Sequence, residues 1–275
     1  MGRFGYVGTF RAAASHLIAG VAEIAVRVVD GVVQVFTATR AGGGLAAFTL
    51  SDVGPGLAMV DEQPVGAGPR LGATPALSFV TLDGIERLVV TGVSSAAVGG
   101  WNLGANGSMG AAFTLSRGPT AVFAAHDIVQ IGGVDHVALA EAKGNTLELW
   151  RIGAKNRLQL TGEAELFHDQ PDRVGITDLR AATIGSMTFL LTLSNAEESL
   201  RVWHLGDEGG IKPVSQVGAG AGLGLSAPVA LEVVQAWGRS FAVAVGAGSS
   251  SLSVVRIEPD GQMQLVDHVI DTLVT

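Results

Sequence analysis

A chain of 275 residues, 48% hydrophobic and only 15% charged, has the apolar surface to bury a large core, which excludes intrinsic disorder. Seventeen Lys and Arg against 25 Asp and Glu leave a net charge of −8, the wrong sign for displacing counterions from a nucleic-acid backbone. The absence of cysteine removes disulfides, thiolate metal sites and cysteine nucleophiles, and 39 glycines without a G-X-Y period point to many tight turns.

The chain starts "MGRFGYVGTFRAAASHLIAGVAEIAV", where charged and polar residues interrupt the apolar run, so no cleaved signal peptide is expected. No stretch reaches 18 uninterrupted apolar residues, so no spanning helix is expected either. Residues 3–10, "RFGYVGTF", read as an extra strand that could close a ring by pairing with the last repeat.

From there one line is written five times: "LAAFTLS" at 45–51, "VGGWNLG" at 98–104, "LELWRIG" at 147–153, "LRVWHLG" at 200–206 and "LSVVRIE" at 252–258. Anchored on Phe48, Trp101, Trp150, Trp203 and Val255, the spacings are 53, 49, 53 and 52 residues. A period this regular means stacked supersecondary units, here spanning about 18–65, 66–116, 117–172, 173–229 and 230–275 of a single domain, 1–275.

The fourth unit divides into strands "DLRAATI", "MTFLLTL", "LRVWHLG" and "IKPVSQVG", and the fifth into "ALEVVQAW", "SFAVAVG", "LSVVRI" and "MQLVDHVI". First strands are apolar at nearly every position, as in a sheet covered on both faces, and fourth strands carry more charge, as outer edges do. Four strands per unit of about 52 residues predict an all-β fold, a β-propeller of five four-stranded blades. The same units also permit a homo-oligomer.

"RSFAVAVGAGSSSLSVVRIEPDGQMQLVDHVIDTL" and "ATRAGGGLAAFTLSD" resemble the propeller repeats of secreted RTX (haemolysin-type calcium-binding) proteins of alphaproteobacteria. The resemblance implies type I secretion without an N-terminal signal, an extracellular, cell-surface or virus-like-particle location, and attachment to a protein or polysaccharide surface. The family's calcium-binding G-G-x-G-x-D nonapeptides are absent, so its calcium site transfers to no residue here. The blade spacing also resembles lactonase-like propellers, but no catalytic motif of theirs is matched.

Chemistry in a propeller is sought where first strands line the channel. Twenty-five residues before the anchors stand Glu23, Ala76, Ala125, Asp178 and Ala230, and two residues later Ala25, Ser78, Asp127, Arg180 and Glu232. One reading has Glu23, Asp127, Asp178 and Glu232 hold a cation, Ca²⁺ being the natural candidate for converging oxygens. The other has Arg180 pair with Asp127 or Glu232 from neighbouring blades, with no ligand. The loop "FHDQPD" places His168, Asp169 and Asp172 between blades, as a metal or partner site or simply as a polar turn.

His136, His204 and His268 read as packing or surface residues, and no short histidine metal motif occurs. "GAGAGLGLSAP" opens no helix, so it is not a dinucleotide fingerprint, and "GAGSSSLS" lacks a nucleophile elbow and an aligned histidine. Trp101, Trp150 and Trp203 occupy one repeated position, which favours packing over a carbohydrate platform. The sequence thus favours a non-catalytic recognition or assembly module, with a metal-dependent lactonase or hydrolase at the channel mouth as the alternative. Holding a metal ion at that mouth needs the carboxylates free of Arg180.

Overall fold

The computed structural model describes residues 20–39, 44–50, 56–64, 71–93, 98–115, 123–141, 146–166 and 175–270. Residues 3–10, and with them the expected closing strand, lie outside this set, as do His168, Asp169 and Asp172.

The chain is all-β and forms five four-stranded antiparallel blades, the architecture of a five-bladed β-propeller. Blade one comprises β1 (Val21–Val29), β2 (Val32–Thr39), β3 (Gly44–Leu50) and β4 (Leu57–Pro64). Blade two comprises β5 (Leu71–Leu82), β6 (Ile85–Val93), β7 (Val98–Leu103) and β8 (Met109–Leu115). Blade three holds β9 (Phe123–Ile131), β10 (Val134–Glu141), β11 (Thr146–Gly153) and β12 (Arg157–Glu165). Blade four holds β13 (Ile176–Ile184), β14 (Met187–Ser194), β15 (Ser199–Leu205) and β16 (Ile211–Gly218). Blade five holds β17 (Pro228–Ala236), β18 (Arg239–Gly246), β19 (Ser251–Ile257) and β20 (Met263–Ile270). Strands follow one another in sequence order across each sheet, and the blades group into two compact units, residues 1–115 with two and 116–275 with three.

The repeat seen in sequence is a structural register. Phe48, Trp101, Trp150, Trp203 and Val255 pair with Val35, Leu88, Val137, Leu190 and Ala242 on the second strands. Glu23, Ala76, Ala125, Asp178 and Ala230 pair with Ala38, Thr91, Ala140, Leu193 and Val245, three residues further along those same strands in every blade. At the anchor itself the pairing with the fourth strand slips in all five blades, a bulge that sharpens the local twist.

The blades bury their apolar faces on one another. In the first unit Phe36, Ala38, Leu45 and Ala47 of blade one pack against Leu77, Leu88, Val90 and Trp101 of blade two. In the second, Leu147 and Leu149 of blade three meet Leu179, Leu190 and Trp203 of blade four, and Phe189, Leu191 and Val202 of blade four meet Leu231, Ala244 and Val255 of blade five. The expected two-sided cover holds for β9 and β13 but not for β1 and β17. There Ile24, Val26, Val28 and Val234 are exposed.

Trp203 fills such a junction while its indole N–H donates to Thr192 Oγ1 at 2.9 Å in the interior, and the Arg201 guanidinium lies 5.2 Å from the ring centre. Trp101 is equally buried, whereas Trp150 is half-buried and donates to Glu148 Oε2 at 2.7 Å. Trp203→Ala is expected to cost about 3–5 kcal/mol. Thr192→Val, which strands the buried indole N–H, should cost about 1–3 kcal/mol. Urea denaturation of both variants measures these losses.

Candidate functional site

The first-strand columns of the second unit bring Asp127, Asp178, Arg180 and Glu232 together. Strand alternation puts Asp178 and Arg180, two residues apart on β13, on one face of that strand. Arg180 Nη1 donates to Asp178 Oδ1 at 2.7 Å and to the Leu179 carbonyl at 2.9 Å, and its Nε approaches Glu232 Oε2 on β17 at 3.5 Å. Arg180 therefore pairs with Asp178 on its own strand and reaches the next blade through Glu232. Glu232 is the most open carboxylate of the group, with 65% of its side chain exposed against 13% for Asp178.

Asp127 and Asp178 have structural work. Asp127 accepts the Ile128 N–H on Oδ1 at 2.8 Å and the Ala181 N–H of the next blade on Oδ2 at 2.7 Å. Asp178 repeats the pattern, with the Leu179 N–H on Oδ1 and the Leu231 N–H of blade five on Oδ2, both at 2.8 Å. In the first unit Asp61 does the same on an outer strand, taking the Glu62 N–H at 2.8 Å and the Met109 N–H of blade two at 2.7 Å. Each carboxylate thus ties one blade to the main chain of the next, and a charge-assisted bond of this kind is stronger than a neutral one.

Among the described residues no three His, Asp or Glu side chains are grouped so as to hold a metal ion. The four carboxylates expected to converge on a cation do not form such a donor set. Asp127 and Asp178 have directed their oxygens at backbone N–H groups, and Glu23 is half-buried on β1 of the first unit, opposite Ala38.

Burial pushes the Asp178 carboxyl up to about 6, against the opposing pull of Arg180 and its two backbone N–H donors, with Asp127 adding to the rise. His126, fully enclosed on β9, is driven down to about 3 by burial and by the Arg180 charge, so it is neutral at physiological pH. His136 is lowered by burial and its Nδ1 lies 2.9 Å from the Val134 carbonyl, while His204 packs edge-on against Phe189.

The serine-rich turn holds a contact that the sequence reading discounted. Ser253 Oγ lies 2.8 Å from His268 Nδ1, the two facing each other across β19 and β20. Ser253 is 0% exposed, so the pair braces the blade and presents no nucleophile. Only its position on adjacent strands could have revealed it, since 15 residues separate the two in sequence.

No protein-family model matches the chain, and no curated protein does. Solved structures match at the level of fold. A protein from Lactobacillus plantarum superposes with a TM-score of 0.60 at 12% identity, over 86% of this chain and 68% of its own. The Pseudomonas aeruginosa periplasmic gluconolactonase gives 0.57 at 13% identity, over 86% and 82% of the two chains. The GH43B protein of the Bacteroides ovatus xyloglucan PUL gives 0.53 at 14% identity, over 93% of this chain and 57% of its own. At such identities the likeness is one of fold.

The Asp178 shift has a definite sign. A folded-state value raised above the unfolded one means that its contribution to stability is fully present below about 3.8 and is lost as pH rises through about 6. His126 works in the opposite sense, its contribution being lost as pH falls below about 6.5 towards 3. The difference between the parent protein and Asp178→Asn isolates the first effect. The variant also lacks one acceptor, so it should melt lower at pH 7.5 and lower still, relative to the parent, at pH 4.5, in paired thermal melts.

Proposed function

We propose that this protein is a hydrolytic propeller of the lactonase kind, acting on a sugar lactone at the Asp178–Arg180–Glu232 cluster. The observation that carries the reading is the open Glu232 carboxylate beside an arginine fixed by a buried aspartate. The fold likeness to a gluconolactonase and to GH43B supports an enzyme over a purely recognising module. Among the described residues, Arg180 is the cation that contacts both Asp178 and Glu232.

In this mechanism Glu232 takes a proton from water as its oxygen attacks the lactone carbonyl, and the Arg180 guanidinium donates to the oxyanion that develops. Collapse breaks the ring C–O bond, and the departing alkoxide recovers the proton from Glu232, giving the open hydroxy acid. Asp178 positions Arg180 and does not touch the substrate. Neutral His126 adds no positive charge behind the arginine.

A second reading rests on a specific observation as well. Asp127 and Asp178 are committed to backbone N–H groups, as a non-catalytic attachment propeller with a protein or polysaccharide partner would permit. Location outside the cell belongs to either reading and is supported by the likeness to secreted RTX repeats. Among the described residues no helix is long and apolar enough to cross a membrane.

A pH-stat assay on D-glucono-δ-lactone separates the two readings. Turnover above the spontaneous rate is expected, falling about 100-fold or more in Glu232→Gln and about tenfold or more in Arg180→Lys. Activity equal to the spontaneous rate sinks the enzyme and leaves the attachment module.

A further inference from the structure

Each first strand ends its sheet, so within the blade the ladder holds it from one side. On β13 the pairing with β14 also slips between Ile176 and Asp178, and on β17 the pairing with β18 slips between Pro228 and Ala230. Arg180 and Glu232 therefore stand on edge strands just past a bulge, where the ladder alone restrains the main chain weakly.

Two carboxylates hold those strands from the other side. Asp178 Oδ2 takes the N–H of Leu231, the residue before Glu232, at 2.8 Å, while its Oδ1 takes Nη1 of Arg180 at 2.7 Å. Asp127 Oδ2 takes the N–H of Ala181, the residue after Arg180, at 2.7 Å. A peptide group is planar, so the Ala181 N–H and the Arg180 Cα belong to one rigid unit, and fixing the first fixes the second. The root of the Arg180 side chain is thus set from blade three and its tip from blade four. Asp127 Oδ1 accepts the Ile128 N–H at 2.8 Å, which fixes the carboxylate itself on β9.

We propose that Asp127 is a positioning residue for the hydrolytic site, holding the Arg180 main chain so that the guanidinium and Glu232 address one substrate. The inference rests on the lactonase reading and adds a third blade to its site. Asp127 acts through Arg180 and contacts neither the lactone nor the attacking water. Asp61 is the natural contrast. It binds the Glu62 and Met109 N–H groups with the same geometry, but its receiving strand, β8, carries no member of the cluster.

A misplaced reacting group loses transition-state stabilisation while ground-state binding stays as it was, so the effect belongs in kcat. Asp127→Asn keeps one acceptor oxygen and sets an amide N–H against the other donor. In pH-stat assays on D-glucono-δ-lactone this variant is expected to lose about tenfold or more in kcat, with KM within about twofold of the parent. Asp61→Asn breaks the same kind of joint, so it should lower the melting temperature similarly and keep the parent's kcat. Asp127→Ser, whose shorter hydroxyl still accepts, is read in the same way if the asparagine variant does not fold. An unchanged kcat in Asp127→Asn, or equal kcat losses in the two asparagine variants, makes Asp127 a structural tie and overturns the inference while the enzyme stands. A raised KM at unchanged kcat overturns it as well, by making Asp127 a binding group. A parent without turnover above the spontaneous rate overturns the lactonase reading and this inference together.

Discussion

A four-stranded sheet that is apolar on both faces cannot stand in water alone, and everything else in this molecule follows from how one blade covers the next. The cover has two parts. Leucine, valine, phenylalanine and tryptophan side chains supply the driving force without direction, and the aspartates supply the direction. Asp61, Asp127 and Asp178 each hold their own strand with one oxygen and the following blade with the other, so adjacent sheets are fixed in register as well as in contact.

The same constraint shapes the chemistry. A carboxylate that braces a junction must be buried, and burial holds the Asp178 carboxyl near 6 and keeps His126 uncharged beside Arg180. The price is borne by the cluster's catalytic freedom: two of its three carboxylates are occupied by main-chain N–H groups, and Glu232 is left as the carboxylate open to solvent. Structural and reactive roles are divided between neighbouring positions of one repeated strand.

The fold was legible in the sequence because a repeat multiplies a weak signal. The strands read at 178–218 and 230–270 lie within a few residues of β13–β20, and the anchors proved to be register positions at which all five blades carry a bulge. The columns holding Asp178, Arg180 and Glu232 were also found this way, since the anchors fix which first-strand positions are equivalent. What was not legible depended on partners without a sequence signature. A backbone N–H is present at every residue except proline, so nothing marked Ala181, Leu231 or Met109 as the receivers of carboxylates, and Asp61 lay on an outer strand away from the searched columns. Ser253 and His268 were separated by a turn whose register the sequence did not set.

The junction bond has an evolutionary consequence. Because each aspartate grips main chain, the link is indifferent to which side chain the receiving strand carries: methionine in one case, alanine and leucine in the others. A blade copied by gene duplication would find its docking partner already provided, and its surface could then diverge without loosening the joint. A chain built this way can lengthen, shorten or specialise one blade at a time.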